Sequence, residues 1–178
     1  DEPSKATIYC HLFGPSGSKS SLIFFLAQGK TTITAKLNLE FATVGGTDEA
    51  EEFAVLRQES RKFDRQKINL TDSLIDYESK NNKEGIERFK LKYRLLQNEI
   101  QDSIYIPFFM KHLNSAVGVY ALGQIAANNI NDPAKVIKLF SQLSPKAKKL
   151  QSAIDLEKKV EGTKRTAVGA QTLDFTMF

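Results

Sequence analysis

Apolar and polar residues change their spacing along this chain at Thr47. Before it, they alternate. In "KATIYCHLF", Ala6, Ile8, Cys10 and Leu12 share one face, the period of a half-buried strand. "GPSGSKSS" at 14–21 has the Gly, Pro and Ser density of a turn. The apolar run "SLIFFLA" follows and fits a buried strand. In "KTTITAKLNLEF", Ile33, Ala35, Leu37, Leu39 and Phe41 alternate with Thr32, Thr34 and Lys36. Two such runs separated by "QGK" predict a hairpin about Gln28-Gly29. "VGGT" at 44–47 closes the β-rich part. Roughly three strands make only a thin sheet, which needs helices on one face or further strands upstream. An opening so close to mid-strand favours the upstream strands.

After Thr47 the period becomes helical. Thr47-Asp48 can cap a helix, with Glu49, Glu51 and Glu52 favourably placed at its positive end. Leu56, Phe63, Leu70 and Tyr77 recur every seven residues, with Phe53 and Leu74 beside them, giving a long helix with a narrow apolar seam. "SKNNKEG" at 79–85 interrupts it, and Ile86, Phe89, Tyr93, Leu96 and Ile100 form the stripe of a second helix. The pair predicts an antiparallel helical hairpin. Pro107 should kink or interrupt the second helix. Asn114 or Ser115 caps a short apolar helix. Asp132-Pro133 and Ser144-Pro145 start two more, because proline at the first helical position loses no hydrogen bond. The fold class is α+β: a small antiparallel sheet followed by a mostly helical region with a long hairpin and short capped helices. The expected divisions are 1–47, 48–165 and a closing segment, 166–178.

That segment, "TAVGAQTLDFTMF", alternates again, with Leu173, Phe175 and Met177 against Thr172, Asp174 and Thr176. A strand needs partners, and none follow in the sequence. It either folds back on the first part or begins a further domain.

The chain has 178 residues, 41% hydrophobic and 26% charged, enough to bury a core. No run approaches the ~20 apolar residues that span a bilayer, so no transmembrane segment is expected. The first residue is Asp and no signal peptide is evident, which reads as a trimmed piece. The net charge of +4 comes from residues 114–178, where nine basic residues face five acidic ones. "KAKK", "KK" and "KR" read as a solvated helix face, without the aromatics or motifs of nucleic-acid readout. A single cysteine, Cys10, excludes an internal disulfide and reads as a core residue.

Candidate chemistry is sparse. His11 and His112 lack ligands at metal spacing. "GPSGSKSS" lacks the Gly-Lys-Ser/Thr order of a phosphate loop, and no Gly-x-Ser-x-Gly elbow is present. The charges of "RQESRKFDRQK" fit intrahelical pairing on a wet face. Catalytic residues, metal ligands and cofactors are therefore assigned to no position, and the chain reads as a non-enzyme.

Three stretches together resemble the TlpA/ResA-like thiol-disulfide interchange lipoproteins of the bacterial envelope. "FLAQGKTTITAKLN…ATVGGTDEAEEF" is similar to the end of that family's small β-rich N-terminal domain. "MKHLNSAVGVYAL" resembles its His-Pro-(Asn/Asp)-Ser passage into a helix, with Leu113 in place of the proline. "NDPAKVIKLFSQLSPKAKK…VEGTKRTAVGAQTLDFTMF" resembles its capped helix pair and the crossing into a thioredoxin-like domain. In the family's Gly-x-x-Ala-Pro-Asp-Phe-Thr-Leu phrase, Gly169, Asp174, Phe175 and Thr176 match, while Thr172 and Leu173 replace Ala and Pro.

The resemblance implies a periplasmic or envelope-attached protein, tethered through a lipid anchor outside this chain. Its main partner would be a C-terminal thioredoxin-like domain, with Leu173, Phe175 and Met177 as the strand leading into it. The redox Trp-Cys-x-x-Cys would lie beyond Phe178, so no catalytic residue carries over. The seam Leu56, Phe63, Leu70 and Tyr77 is the candidate interface for a homodimer or client protein. The competing readings are a stand-alone envelope binding or structural protein, and an all-helical enzyme with a scattered site.

Overall fold

The computed structural model describes residues 2–11, 19–35, 39–129 and 132–166. The chain is α+β, with two small antiparallel ribbons followed by helices. β1 (Ser4–His11) pairs with β2 (Lys19–Leu26), setting Ala6 opposite Phe24 and Ile8 opposite Leu22. β3 (Thr32–Thr34) pairs with β4 (Thr43–Gly45). The hairpin expected across Gln28-Gly29 is therefore corrected: β2 pairs with β1, and β3 with β4. The cause lies at the start of the helices. Gly46, at φ 102°, sits so close to Lys30 that a Cβ would meet its carbonyl oxygen at 2.2 Å. Gly29, at φ 128°, lies against the Thr47 methyl. The chain leaving β2 is thus held to the β4–helix junction instead of turning back along β2. The alternation read through Phe41 also stops early, because 39–41 form a 3-10 turn and Phe41 is 71% exposed.

α1 (Asp48–Ser60) starts at Thr47, whose hydroxyl accepts from the Ala50 amide at 3.3 Å. The helix tightens into a 3-10 turn at 61–63 and continues as α2 (Asp64–Ser79). Asn82 caps α3 (Lys83–Ile100), which returns antiparallel beside α2. The interruption expected at Pro107 takes a specific form. Residues 101–105 widen into a π turn, with the Ile106 amide donating to the Gln101 carbonyl, and α4 (Ile106–Lys111) follows. Proline has no amide for the Ser103 carbonyl four residues back and its ring crowds that position; a wider turn relieves both.

α5 (Ala116–Asn128) is capped by Ser115 and buries Val117, Ala121, Leu122 and Ile125 completely. α6 (Pro133–Phe140) and α7 (Pro145–Lys148) begin at Asp132 and Ser144, whose side chains accept from the Lys135 and Ala147 amides at 3.1 Å each. α8 (Gln151–Thr166) takes its N-terminal partner from the other end of the chain. The Glu2 carboxylate accepts from the Gln151 amide and, at 3.1 and 2.7 Å, from the Ser152 amide and hydroxyl.

The main core gathers around α5, with Ile100, Ile104, Phe109 and Val136 each about 1% exposed or less. A smaller core under the ribbons holds Leu22, Phe24, Val44 and Ala50. β2 joins the two. Leu22 and Phe24 enter the small core, while Phe25, on the opposite face, packs with Phe53 and Tyr120 at centroid distances of 5.1 and 5.8 Å. The two faces of β2 are thus both buried at Phe24 and Phe25, while Ile23 and Leu26 remain 39% and 49% exposed.

Candidate contact surfaces

Two of the four seam residues lie inside the chain's own core. Leu56 and Phe63 are 2% and 5% exposed, and Leu70 is half-buried against the same cluster. Tyr77 is also half-buried and covers α3, where a Cβ on Gly85 would lie 2.5 Å from its ring. The heptad spacing marks the inner side of the helix, and its residues pack onto the same chain. Leu173, Phe175 and Met177 fall outside the described residues.

The surface left open lies elsewhere on the hairpin. α2 buries no residue, and α3 buries only Gly85, Leu96 and Ile100. Beyond Leu96 the two helices form an arm. Its wet faces carry short-range pairs such as Lys80–Asp76 at 2.6 Å and Arg88–Glu84 at 2.7 Å. Exposed pairs of this kind stabilise a helix by about 0.3–0.5 kcal/mol each. Ile68 and Ile75 on α2 are 59% and 60% exposed, and Leu91 and Leu95 on α3 are 57% and 59% exposed. At about 100° per residue, Ile68 and Ile75 sit some 140–160° around from Leu70. They form an outer row away from α3. The seven-residue spacing of Ile68 and Ile75 was visible in the sequence; the deeper Leu56–Tyr77 row masked it.

His112 Nδ1 lies 3.2 Å from Glu52, and its ring stacks on Phe108 with centroids 4.1 Å apart. The contact ties α1 to the end of α4 across sixty residues of sequence, a pairing no local pattern announces. Burial, aided by Tyr120 and Asp64, pushes the Tyr105 hydroxyl up to about 12, and burial also raises that of Tyr120. The buried Gln101 of the π turn accepts through Oε1 from the Asn129 side-chain Nδ2, which also donates to the Ile125 carbonyl at 2.7 Å. Among the described residues no three His, Cys, Asp or Glu side chains gather where a metal ion could bind. Cys10 and His11 lie in β1, with their side chains outside the described set. No described helix is long and apolar enough to cross a membrane.

A third surface is a groove of about 280 Å³ where the ribbons meet α1. Phe24, Val44, Ala50 and Phe53 line it, and Arg57, Gln58 and Arg61 stand along its α1 side. The exposed Phe41 ring lies under the Arg61 guanidinium at 5.5 Å. The sequence showed two arginines one helical turn apart; the strands opposite them depend on ribbon pairing that it did not reveal.

No family model matches the chain, and neither curated proteins nor solved structures give a match.

Proposed function

We propose that this chain is a non-catalytic module that positions a C-terminal thioredoxin-like redox domain in the bacterial envelope. Its helical arm would contact a second copy or a client protein. The redox link rests on residue order: "FLAQGK" and "VGGT", then "MKHLNS", the two proline-started helices, and "GAQTLDFT". The observation that carries the contact role is the arm, where Ile68, Ile75, Leu91 and Leu95 remain open to water. Large aliphatic side chains repeated along an exposed helix are the usual currency of helix–helix docking. A stand-alone envelope binding protein is the second reading, favoured by the same arm if no redox domain follows.

Two measurements separate these readings. A Trp-Cys-x-x-Cys encoded downstream of Phe178 is expected under the first reading, and a stop codon there overturns it. Sedimentation velocity over a concentration series tests dimerisation, with Ile68→Ser/Ile75→Ser expected to dissociate any dimer. A wild-type chain that stays monomeric removes the dimer and leaves client contact. Residues 1–178 should be inert in a thiol-reductase assay, and measurable turnover would overturn the non-catalytic assignment.

A further inference from the structure

We propose that the outer sides of α6 and α7 form a basic surface that rests on an anionic lipid bilayer, with Ile137 entering the headgroup layer. From Pro133 to Ile154 the chain carries five lysines and no aspartate or glutamate. The arm differs: there Lys67, Lys80, Arg88 and Lys90 each meet a carboxylate on their own helix at 2.6–3.7 Å. Among the described residues, none of these five lysines meets one. Cations crowded without counter-charge leave a positive local potential that attracts an extended anionic partner.

Burial decides which sides face out. α6 turns Val136 inward, while Ala134, Ile137, Lys138 and Ser141, neighbours at spacings of three and four, are exposed on its outer side. α7 turns Ala147 inward and leaves Lys146 and Lys149 exposed. Lys148 Nζ donates to the Ser141 carbonyl at 2.8 Å and lies 6.0 Å from the centre of the Phe140 ring, holding α7 against the end of α6. Lys138, Lys146 and Lys149 therefore gather about one junction, with Lys135 a turn back along α6. The Glu2 carboxylate, held at the start of α8 just past Lys149, is already engaged by the Gln151 and Ser152 amides.

The side chains select among anionic partners. All five cations are lysines, point charges on flexible stems without the fork that arginine offers a fixed carboxylate or phosphate. Lysine is depleted from protein interfaces, whose energy concentrates in well-packed apolar anchors. Here Ile137, 39% exposed, is the single large apolar side chain that stands out between Pro133 and Ile154. Phe140 is half-buried beneath Lys148, so this stretch presents no open ring for base stacking. A lipid headgroup layer needs only dispersed cations and a shallow apolar contact. The proposal stands apart from the redox assignment and from the contacts of the arm; vesicle binding succeeds or fails independently of both.

The test is co-sedimentation of the whole chain with vesicles of equimolar phosphatidylglycerol and phosphatidylcholine, against vesicles of phosphatidylcholine alone. Binding to the anionic vesicles only is expected, weakening as salt rises. Lys138→Gln/Lys146→Gln/Lys149→Gln should lower partitioning about 100-fold, at about fivefold per lysine. Lys83→Gln/Lys90→Gln/Lys92→Gln on the arm removes the same charge and should leave partitioning nearly unchanged. Ile137→Ser should weaken binding at every salt concentration, with an unchanged circular dichroism spectrum. Equal losses from the two triple variants would overturn the surface in favour of general charge attraction. Equal binding to phosphatidylcholine would overturn its electrostatic basis. Retention on polyglutamate with no vesicle binding would refute the bilayer and point to an acidic protein, and binding to neither vesicle would refute it outright.

Discussion

α5 and α2 are thirteen and sixteen residues long, yet they owe their helical state to different things. α5 has no charged residue and buries seven, and every neighbouring element closes over it. α2 buries none and is laced with Asp, Glu, Lys and Arg. Isolated helices of this length are marginal in water, so α2 depends on contacts made by one side, through Leu70, Leu74 and Tyr77. The body is therefore the cooperative unit, and the arm is a lightly held extension of it. Local opening should cost least where the fewest apolar side chains are covered.

The sharpest way to break that contrast is a matched pair of truncations. Leu122→Ala in α5 should cost about 2–5 kcal/mol in urea unfolding, because a fully buried leucine leaves a cavity. Leu91→Ala on the arm should stay within about 0.5 kcal/mol of wild type. Similar losses at both sites would erase the distinction. A second pair turns on glycine. Gly85→Ala should destabilise by about 1 kcal/mol, because the new methyl meets the Tyr77 ring. Gly123→Ala in α5, with nothing within 4 Å of the new methyl, should gain up to about 1 kcal/mol from helix propensity. A gain at Gly85 would mean that Tyr77 does not hold the arm closed.

The smallest effect tests the edge of the body. Partial burial works to raise the Glu2 carboxyl, but the Ser152 hydroxyl and the Ser152 and Gln151 amides outweigh it and hold it below its ordinary value of 4.5. A carboxyl with a lowered folded value contributes stability above its unfolded value and loses it as pH falls through the folded one. Glu2→Gln should therefore cost about 0.5 kcal/mol at neutral pH, at the low end for a helix N-cap. The difference from wild type should shrink below pH 4.5. A gap that persists in acid would show that the carboxylate charge is not what matters. Amide exchange at Gln151 and Ser152 would locate the effect.

Local signals carried much of this fold. Thr47, Ser115, Asp132 and Ser144 all cap the helices that their sequences announce, because a cap involves only the next three residues. Helix periodicity likewise gave the α2–α3 hairpin. Strand pairing was misread, since Gln28-Gly29 has the composition of a tight turn but is held by Lys30 and Gly46, sixteen residues apart. Neither Glu2 on α8 nor His112 beside Glu52 could be read locally, because each joins distant segments. Of the candidate surfaces, the arm was half legible. Its seam was visible, but the sequence could not say that Leu56 and Phe63 lie at the buried root while Ile68 and Ile75 face water.

The π turn at 101–105 has a consequence for how the arm is aimed. An α-helix advances by about 100° per residue, so one added or removed residue rotates everything beyond it by that angle. The wide turn lies between α3 and α4, whose Phe108 and Phe109 are buried. Residue count at this point thus works as an indexing collar, fixing which compass bearing Leu91 and Leu95 take relative to α5. A single-residue deletion between Gln101 and Tyr105 would re-aim the projection and turn Leu96 and Ile100 out of the positions they hold in the core.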